Sequence, residues 1–462
     1  MRLRFCADAF LLHKQERKKV MYTKIKLSLS RINYKLYIAL LILGLAPSIY
    51  TTTRVFLLGQ LPGEWSFSIA GQLSWVNLIY EILNEAIILP LFYFVGMVKE
   101  DKKEFTNRVK TGMIISLMGY SILAIILLAF AKPMLNLMAA DATILDASAS
   151  YIRIESIANI FSILAQFVLV ALVTINKSKY IYIFTGAKLV LCIVLDTFLV
   201  SNLPISANLG VNGIGYSNII VNFSLLIVSI FLLSKEGINI FNKMKLDFSW
   251  SKEFAKVGGV SGVESLVRNV AYMVMIARMV NVVGEQGTYW VANNFIWGWL
   301  LLPVLQLGEL IKQEVAIDKN SIRRNSLGYF AITGIISVFW FASIPIWKSF
   351  MENVLGLTEV DKIYELVMLL VGFYVLYAFQ NVFDSTFYGL GKTNYMLFES
   401  VVTNTIYYGI AFVLYTTRVW TPTLTGIALL FGIGNAFDSV VSLVAYVVLL
   451  KKEKINILIV EQ

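Results

Sequence analysis

The chain has very few of the residues from which most enzyme active sites are built. It contains one histidine, His13, and two cysteines, Cys6 and Cys192, among 462 residues. A lone histidine excludes an HExxH zinc site and a Ser/His/Asp triad, and the two distant cysteines provide neither a disulfide framework nor a CxxC site. We therefore predict a protein that is not an enzyme and that holds no metal and no organic cofactor.

Charged residues are also scarce, and long apolar runs take their place. Charged side chains make up 15% and hydrophobic ones 58% of the chain, with a mean hydropathy of +0.73, whereas soluble domains are about 25% charged and 45–50% apolar. About twelve apolar stretches reach roughly 20 residues, enough to cross the ~30 Å hydrocarbon core of a bilayer as a helix. The sequence predicts an all-α polytopic membrane protein with twelve transmembrane helices. The predicted spans are Tyr37–Leu58, Ala70–Met97, Thr111–Ala131, Ile154–Thr174, Tyr180–Ser201, Leu209–Leu233, Gly258–Val283, Gly287–Ile311, Leu327–Trp347, Ile363–Tyr388, Tyr395–Thr417 and Leu424–Leu450.

The basic residues lie mainly on one side of these predicted spans. Most of the 39 lysines and arginines fall in the N-terminal tail and in alternate loops, whereas the other loops hold only Lys132, Lys348, Lys362 and Arg418. Loops rich in Lys and Arg face the cytoplasm, so both termini are expected there, in a bacterial plasma membrane. The positive charge then belongs to anchors beside the lipid bilayer and does not indicate a nucleic-acid partner.

The chain is internally repeated. The stretch from Gln166 to Tyr180 resembles the stretch from Gln380 to Tyr395, about 214 residues later. An even number of spans in each copy makes the repeats parallel, which predicts two six-helix bundles and alternating access between them. No cleavable signal peptide is expected, and Met21 offers a second possible start. The predicted domains are a basic cytoplasmic tail (1–36), an N-terminal six-helix bundle (37–233), a cytoplasmic linker (234–256), a C-terminal six-helix bundle (257–450) and a cytoplasmic C-terminal tail (451–462).

Two charged residues in the second span and two near the start of the seventh are candidate functional residues, because charges inside a membrane are costly. Glu81 and Glu85 are one helical turn apart and share a face. We expect one or both to face an aqueous cavity; structural pairing is the alternative. Glu264 and Arg268 are spaced to form an ion pair with each other.

Further acidic residues occupy later spans. Asp196, toward the outer end of the fifth span, is a candidate functional residue. Asp384 and Asp438 lie deep in the tenth and twelfth spans, where a functional and a structural role are equally open. Glu309 and Glu399 lie near predicted cytoplasmic ends, so we expect both to be exposed to interfacial water.

Seven short stretches, spread over roughly Ile38 to Leu450, have the order and spacing of a known family. They are Gly59–Gly63, Tyr151–Glu155, Leu195–Asp196, Leu209–Gly213, Gly258–Glu264, Gly284–Glu285 and Gly389–Thr393. On these stretches the chain resembles the multidrug and toxic compound extrusion (MATE) family, which shares a superfamily with polysaccharide and lipid-linked oligosaccharide flippases. The resemblance implies two bundles around a central cleft that export amphipathic, often cationic compounds against a sodium or proton gradient.

The chain departs from this family where the coupling ion would bind. Asp196 matches an aspartate that takes part in cation coupling in many prokaryotic members, but Cys192 stands where those members often have asparagine. Arg54 stands where the resemblance implies a span-one aspartate, and Asn269 stands where one branch has a coupling glutamate. An arginine near the end of a span usually extends to the lipid headgroups. We hypothesise that Arg54 instead pairs with Asp196 and replaces the bound ion, so that coupling passes to Glu81, Glu85, Glu264 or Asp384.

The leading functional prediction is a secondary active efflux transporter, an antiporter that exports small amphipathic, mainly cationic drugs or toxins, driven by Na⁺ or H⁺. We expect a monomer. One alternative is a flippase for a lipid-linked glycan or modified peptide, which would need a basic cavity of the kind that Arg54, Lys188, Arg268 and Arg278 could form. The other is a membrane immunity protein that binds a partner without transporting it.

Overall fold

The computed structural model describes residues 21–61 and 65–457, and in these residues the secondary structure is entirely helical. The predictions made for Cys6 and His13, and the choice between two starts, concern residues outside these ranges. Within the described ranges, eleven helices are long and apolar enough to span a membrane, and a bent pair of shorter helices makes a twelfth when it is counted as one span. The predicted fold class is therefore confirmed.

The membrane-length helices are numbered here in chain order, with the bent pair counted as one. They are α1 (Tyr34–Gly59), α2 (Ser66–Gly96), α3 (Lys102–Leu137), α4 (Ala142–Thr174), α5 (Lys179–Leu199), α6 (Val211–Lys235), α7 (Ser251–Val282), α8 (Gln286–Leu300 with Leu302–Ile317), α9 (Ser321–Asn353), α10 (Val360–Gly389), α11 (Asn394–Thr416) and α12 (Leu424–Lys452).

Helix α8 is bent by 53° between its two segments. The bend follows a π-helical turn at Ile296–Leu300 and coincides with Pro303, in the first turn of the second segment. Proline lacks an amide hydrogen and clashes with the preceding turn, so a helix bends there. Helix α2 has a π-helical turn at a similar place, Asn84–Ile88, and α7 and α11 each have one as well.

Polar residues at the boundaries cap several helices. The Asp101 side chain accepts hydrogen bonds from the amides of Lys103 and Glu104, which starts α3 at Lys102. The Thr423 hydroxyl accepts one from the amide of Gly426 and starts α12. Such caps satisfy amides that have no partner within the helix.

The predicted N-terminal tail is partly structured, because residues 21–30 form a helix. The Ser28 hydroxyl accepts a hydrogen bond from the Gly328 amide at 2.7 Å, and Ile32 is buried. At the other end of the chain, Glu453 contacts Lys319 and Lys392. Both ends of the described chain therefore lie on one side of the bundle, which we call the terminal side.

The two largest of five hydrophobic clusters in the described residues belong to different parts of the bundle. One is formed mainly by α2 to α6 and the other mainly by α7 to α12. Helices α1, α2, α7 and α8 make the contacts between the two sets. We call α1 to α6 the first half and α7 to α12 the second half; the domain boundaries themselves stay a prediction.

Candidate functional site

A cavity of about 660 Å³ lies between α1, α2 and α8, at the boundary between the halves. None of the described residues that line it is charged. Its polar lining consists of hydroxyl and amide side chains, and two indole rings, Trp290 and Trp297, complete the wall. Gly44 keeps α1 close to this space, because a Cβ there would lie 2.6 Å from the amide nitrogen of Gln306. The hydroxyl and amide residues are Ser48, Thr51, Thr52, Ser74, Asn77, Asn293, Asn294 and Gln306.

The two halves contact each other on both sides of this cavity. Toward the side opposite the termini, Gln286 Nε2 donates to the Gly71 carbonyl at 2.7 Å, and the Gln72 amide donates to Asn281 Oδ1 at 2.7 Å. Toward the terminal side, the Tyr37 hydroxyl donates to the Pro303 carbonyl at 2.9 Å. The cavity is thus placed between two contact regions that join the same pair of bundles.

Arg54 forms the ion pair that the sequence hypothesis predicted. Its Nε lies 2.7 Å from Asp196 Oδ2, and its Nη2 donates to Asn218 Oδ1 at 2.7 Å. Asp196 is fully buried. The alternative position, with the guanidinium extended to the headgroups, is not the one observed, because Asp196 on α5 and Asn218 on α6 face Arg54 across the first half.

A second carboxyl group belongs to this cluster, and the sequence analysis did not assign it a role. Glu155 on α4 is 4% exposed, and its Oε1 accepts a hydrogen bond from Asn218 Nδ2 at 2.7 Å. Asn218 therefore bridges Arg54 and Glu155. One arginine faces two acidic residues, so only one of the two carboxylates has its charge matched.

The predicted ion pair between Glu264 and Arg268 is confirmed, with Nη1 and Oε1 3.1 Å apart. The same guanidinium also contacts Glu85 and lies 3.4 Å from Glu81 Oε1, and it donates to the Tyr388 hydroxyl at 3.3 Å. Glu81 and Glu85 were expected to face an aqueous cavity, but neither lines the 660 Å³ cavity. Arg268 of α7 reaches α2 from the other half and contacts both, although the Glu81 side chain remains 46% exposed. Exposure of either glutamate to an aqueous cavity stays a prediction.

Asp384 belongs to a buried acidic cluster in the second half. Ser442 donates to Asp384 Oδ1 at 2.8 Å, and Gln380 Nε2 donates to Asp438 Oδ2 at 2.6 Å. Thr403 donates to the other oxygen of Asp438 at 2.6 Å. Asp384 on α10 and Asp438 on α12 thus lie side by side, linked by the amide of Gln380.

Glu399 is a third member of this cluster, and the expectation that it would be exposed to interfacial water is wrong. It is 3% exposed, and its carboxyl group is in hydrogen-bond contact with Asp384. The reason is the rotation of α11, which turns Glu399 toward α10 and α12. Within residues 21–61 and 65–457, no lysine or arginine forms an ion pair with Asp384, Asp438 or Glu399.

The four basic residues proposed to form a basic cavity do not contact the same groups. Arg54 contacts Asp196, Arg268 contacts three glutamates, and Arg278 donates to the Leu137 carbonyl at 2.9 Å. Lys188 is half-buried on α5 and, like the three arginines, does not line the central cavity. In the described part of the chain, no cluster of His, Cys, Asp and Glu is arranged to hold a metal ion.

Comparison with known proteins supports the resemblance seen in the sequence. The MatE family model matches residues 99–198, which include α3, α4 and most of α5. No curated protein sequence matches the chain. Many solved structures share its fold at low sequence identity, so the likeness is one of architecture.

Three of these structures illustrate the match. An inward-facing multidrug resistance MATE family transporter of the MOP superfamily is 17% identical, with a TM-score of 0.69 over 89% of this chain and 95% of that one. The MATE multidrug transporter DinF-BH, solved in complex with a ligand, is 17% identical with a TM-score of 0.69 over 92% and 97%. A MOP superfamily transporter from Pyrococcus furiosus, described as having a binding pocket of reversed polarity, is 18% identical with a TM-score of 0.62 over 94% and 98%.

All three of these structures are described as transporters. Residues 99–198 thus match the MatE family model, and the chain has the fold of the solved MATE multidrug transporters of the MOP superfamily.

Proposed function

We propose that this protein is a secondary active efflux transporter that moves small amphipathic molecules by alternating access. The observation that carries the proposal is the cavity between α1, α2 and α8, with contacts between the halves on both sides of it. Breaking one set of contacts while keeping the other would open the cavity to one side of the membrane at a time. A ligand that prefers one state shifts the population toward it.

The cavity lining favours flat, amphipathic substrates that carry few charges. The rings of Trp290 and Trp297 offer stacking surfaces, and the hydroxyl and amide groups offer hydrogen bonds. None of the described lining residues is a carboxylate that could neutralise a cation. A cationic substrate would therefore depend on cation–π contacts with the two indole rings, and such contacts contribute about 0.5–2 kcal/mol to binding. Neutral aromatic compounds should therefore be transported as well as cationic ones.

The acidic cluster of Asp384, Asp438 and Glu399 supports a role in proton coupling. Two carboxyl groups in hydrogen-bond contact share a proton, since like charges this close cannot both ionise cheaply. Asp196, in contrast, has Arg54 as a permanent counter-charge. We propose that a proton enters and leaves the cluster, changes the packing of α10, α11 and α12, and in this way alters substrate affinity reciprocally.

The flippase alternative has weaker support. A phosphate-bearing lipid headgroup would need positive charge in the cavity, and the cavity wall is neutral. Each of the three arginines that could supply charge has a partner elsewhere. We also propose, from the positive-inside pattern, that the terminal side is cytoplasmic in a bacterial plasma membrane and that the chain acts as a monomer.

Efflux from proteoliposomes tests the proposal. A fluorescent lipophilic cation and a neutral aromatic dye are loaded, and sodium and proton gradients are imposed separately. We expect efflux of both probes with a proton gradient. Asp384→Asn should lower proton-driven efflux at least about tenfold, which corresponds to about 1.4 kcal/mol of lost coupling.

Glu309→Gln is the matched control, because Glu309 pairs with Lys312 on the surface of α8 and is 48% exposed. It should leave efflux unchanged. Folded protein that moves neither probe under either gradient would refute transport and favour the immunity-protein alternative. Efflux by Asp384→Asn at the normal rate would refute the coupling site alone.

A further inference from the structure

A second cavity lies at the surface of the first half, near the terminal side, and has no part in the proposed transport cycle. Its volume is about 360 Å³, and it is bounded by α3, by α4 and by the segment between α6 and α7. Met113, Leu117 and Leu164 form its apolar wall, and Lys110 and Lys243 stand at its edge. No acidic residue lines it.

The segment between α6 and α7 crosses α3 beside this cavity and is hydrogen-bonded to it. Asn107 and the backbone of Asp247 exchange two hydrogen bonds of 3.0 Å, and the Lys110 ammonium donates to the Asn242 carbonyl. These bonds hold the segment over the first turns of α3. They also place Lys243 on the same cavity as Lys110.

Lys110 is 7% exposed, yet its hydrogen-bond partner is a backbone carbonyl and not a carboxylate. A buried ammonium without a counter-ion is costly, so such groups are normally paired. Two acidic groups between the end of α6 and the start of α7 are engaged elsewhere: Asp247 accepts from Ser249 at 2.8 Å and Glu236 pairs with Lys177 at 2.9 Å. Among the described residues, no carboxylate is therefore paired with Lys110.

The depth of the cavity identifies the kind of anion. Lys110 immediately precedes the apolar run of α3, so its ammonium lies at the level of the lipid headgroups. Leu117, two turns deeper, is 44% exposed, and Phe241 of the crossing segment is 77% exposed. A ligand here meets positive charge at the headgroup level and an apolar groove below it, which is the chemistry of an anionic phospholipid.

We propose that this cavity binds one anionic diacyl phospholipid of the adjacent leaflet. Its phosphate lies between Lys110 and Lys243, and an acyl chain follows Met113, Leu117 and Leu164. The lipid would supply the missing counter-charge and hold the segment between the halves against α3.

The test is a titration of the purified full-length chain, in neutral detergent, with phosphatidylglycerol and with phosphatidylcholine, followed by native mass spectrometry. Each basic residue near an anionic lipid contributes about 1 kcal/mol, so Lys110→Gln with Lys243→Gln should weaken phosphatidylglycerol binding roughly 30-fold. The matched control is Lys252→Gln with Lys256→Gln, which removes the same charge from exposed positions on α7 outside the cavity. Phosphatidylglycerol binding by this control variant should change less than about twofold.

If the loss of Lys110 impairs folding, two further variants that retain Lys110 test lipid binding. Lys243→Gln alone should weaken binding about fivefold, and Leu117→Trp, at an exposed position, should weaken it by filling the groove while both lysines remain. Equal binding by the double variant and its control would overturn the proposal. So would displacement of the lipid by acyl-free glycerophosphoglycerol at equal concentration, because the site would then recognise a free phosphate ester.

Discussion

Arg54 lies among polar groups from three other helices, two of which are buried carboxyl groups. Its guanidinium is 12% exposed, Asp196 faces it directly, and Glu155 is connected through Asn218. Removing one partner of a buried ion pair leaves an uncompensated charge, which typically costs about 3–5 kcal/mol. The arginine is therefore a structural requirement of the first half, whatever its role in transport.

We predict that Arg54→Gln lowers the free energy of unfolding by about 3 kcal/mol. Thermal unfolding in detergent measures this as a lower melting temperature. The double variant Arg54→Gln with Asp196→Asn should recover part of the loss, because it also removes the buried charge. A single variant as stable as the parent would contradict the assignment of this ion pair as a stabilising one.

The same variant tests whether the guanidinium stands in for a coupling ion. With Arg54 replaced, the site would again be able to take up a proton or sodium ion. Efflux by Arg54→Gln should then acquire a sodium dependence, or a proton dependence that persists when Asp384 is also replaced, neither of which the parent protein is expected to show. An unchanged ion dependence would leave the pairing with a structural role only.

The backbones of α2 and α7 approach each other closely at the boundary between the halves. A Cβ on Gly258 would lie 2.1 Å from the Ala86 carbonyl oxygen, whereas a Cβ on the adjacent Gly259 would meet nothing within 4 Å. Gly258 is thus required for the contact, since any side chain would push the helices apart.

We predict that Gly258→Ala lowers the free energy of unfolding by about 2 kcal/mol through overpacking. Gly259→Ala, its neighbour on the same helix, should instead be neutral or stabilising by up to ~1 kcal/mol, because alanine is the better helix former. Melting temperatures of the two variants in the same detergent measure the contrast. Equal values would show that α2 and α7 are not in contact as described.

The end of α12 is tied to two loops by Glu453, which contacts Lys319 and Lys392. Hydrogen bonds from these lysines lower the pKa of Glu453 to about 2. A lowered pKa means that the contact stabilises the fold above the ordinary glutamate pKa near 4.5 and that this contribution is lost as pH falls toward about 2.

We predict that Glu453→Gln lowers the melting temperature at pH ~7 by no more than ~2 °C, since exposed ion pairs contribute little. The difference from the parent should shrink at pH ~3 and in ~1 M salt, which screens charges beyond about 3 Å. If the difference in melting temperature between Glu453→Gln and the parent did not depend on pH or salt, the effect would come from packing and not from charge.

For the molecule as a whole, Arg268 is the charge that joins the two halves near the terminal side. It belongs to α7, as does its partner Glu264, whereas Glu85 belongs to α2 of the other half. The two glutamates thus contact the same guanidinium, but only one of the contacts must break when the terminal side opens.

We predict that Glu85→Gln shifts the population toward the state open on the terminal side by roughly fivefold, the effect of losing about 1 kcal/mol. Glu264→Gln, the matched control, should shift it less than about twofold, because it removes a contact within one half. A spin-label distance between the terminal-side ends of α2 and α7 reports the populations. Equal shifts in both variants would refute a selective role for the contact between halves.

The sequence by itself determined the number and approximate limits of the membrane helices, because a run of about 20 apolar residues has only one stable way to cross a bilayer. It also determined the Glu264–Arg268 contact, since residues four apart on a helix are neighbours. The pairing of Arg54 with Asp196 was within reach only because a family resemblance suggested which positions face each other.

Only the tertiary structure decided which carboxyl groups are free and which are paired. The partners of Glu85, Glu155 and Glu399 come from other helices, and a helix that is apolar all round carries no periodic signal of which face turns inward. Glu399 was therefore assigned to the interface from its place along the chain, although the rotation of α11 buries it against Asp384. Local spacing fixes contacts along one helix, but contacts between helices depend on rotations about their axes, which are set by packing across the whole bundle.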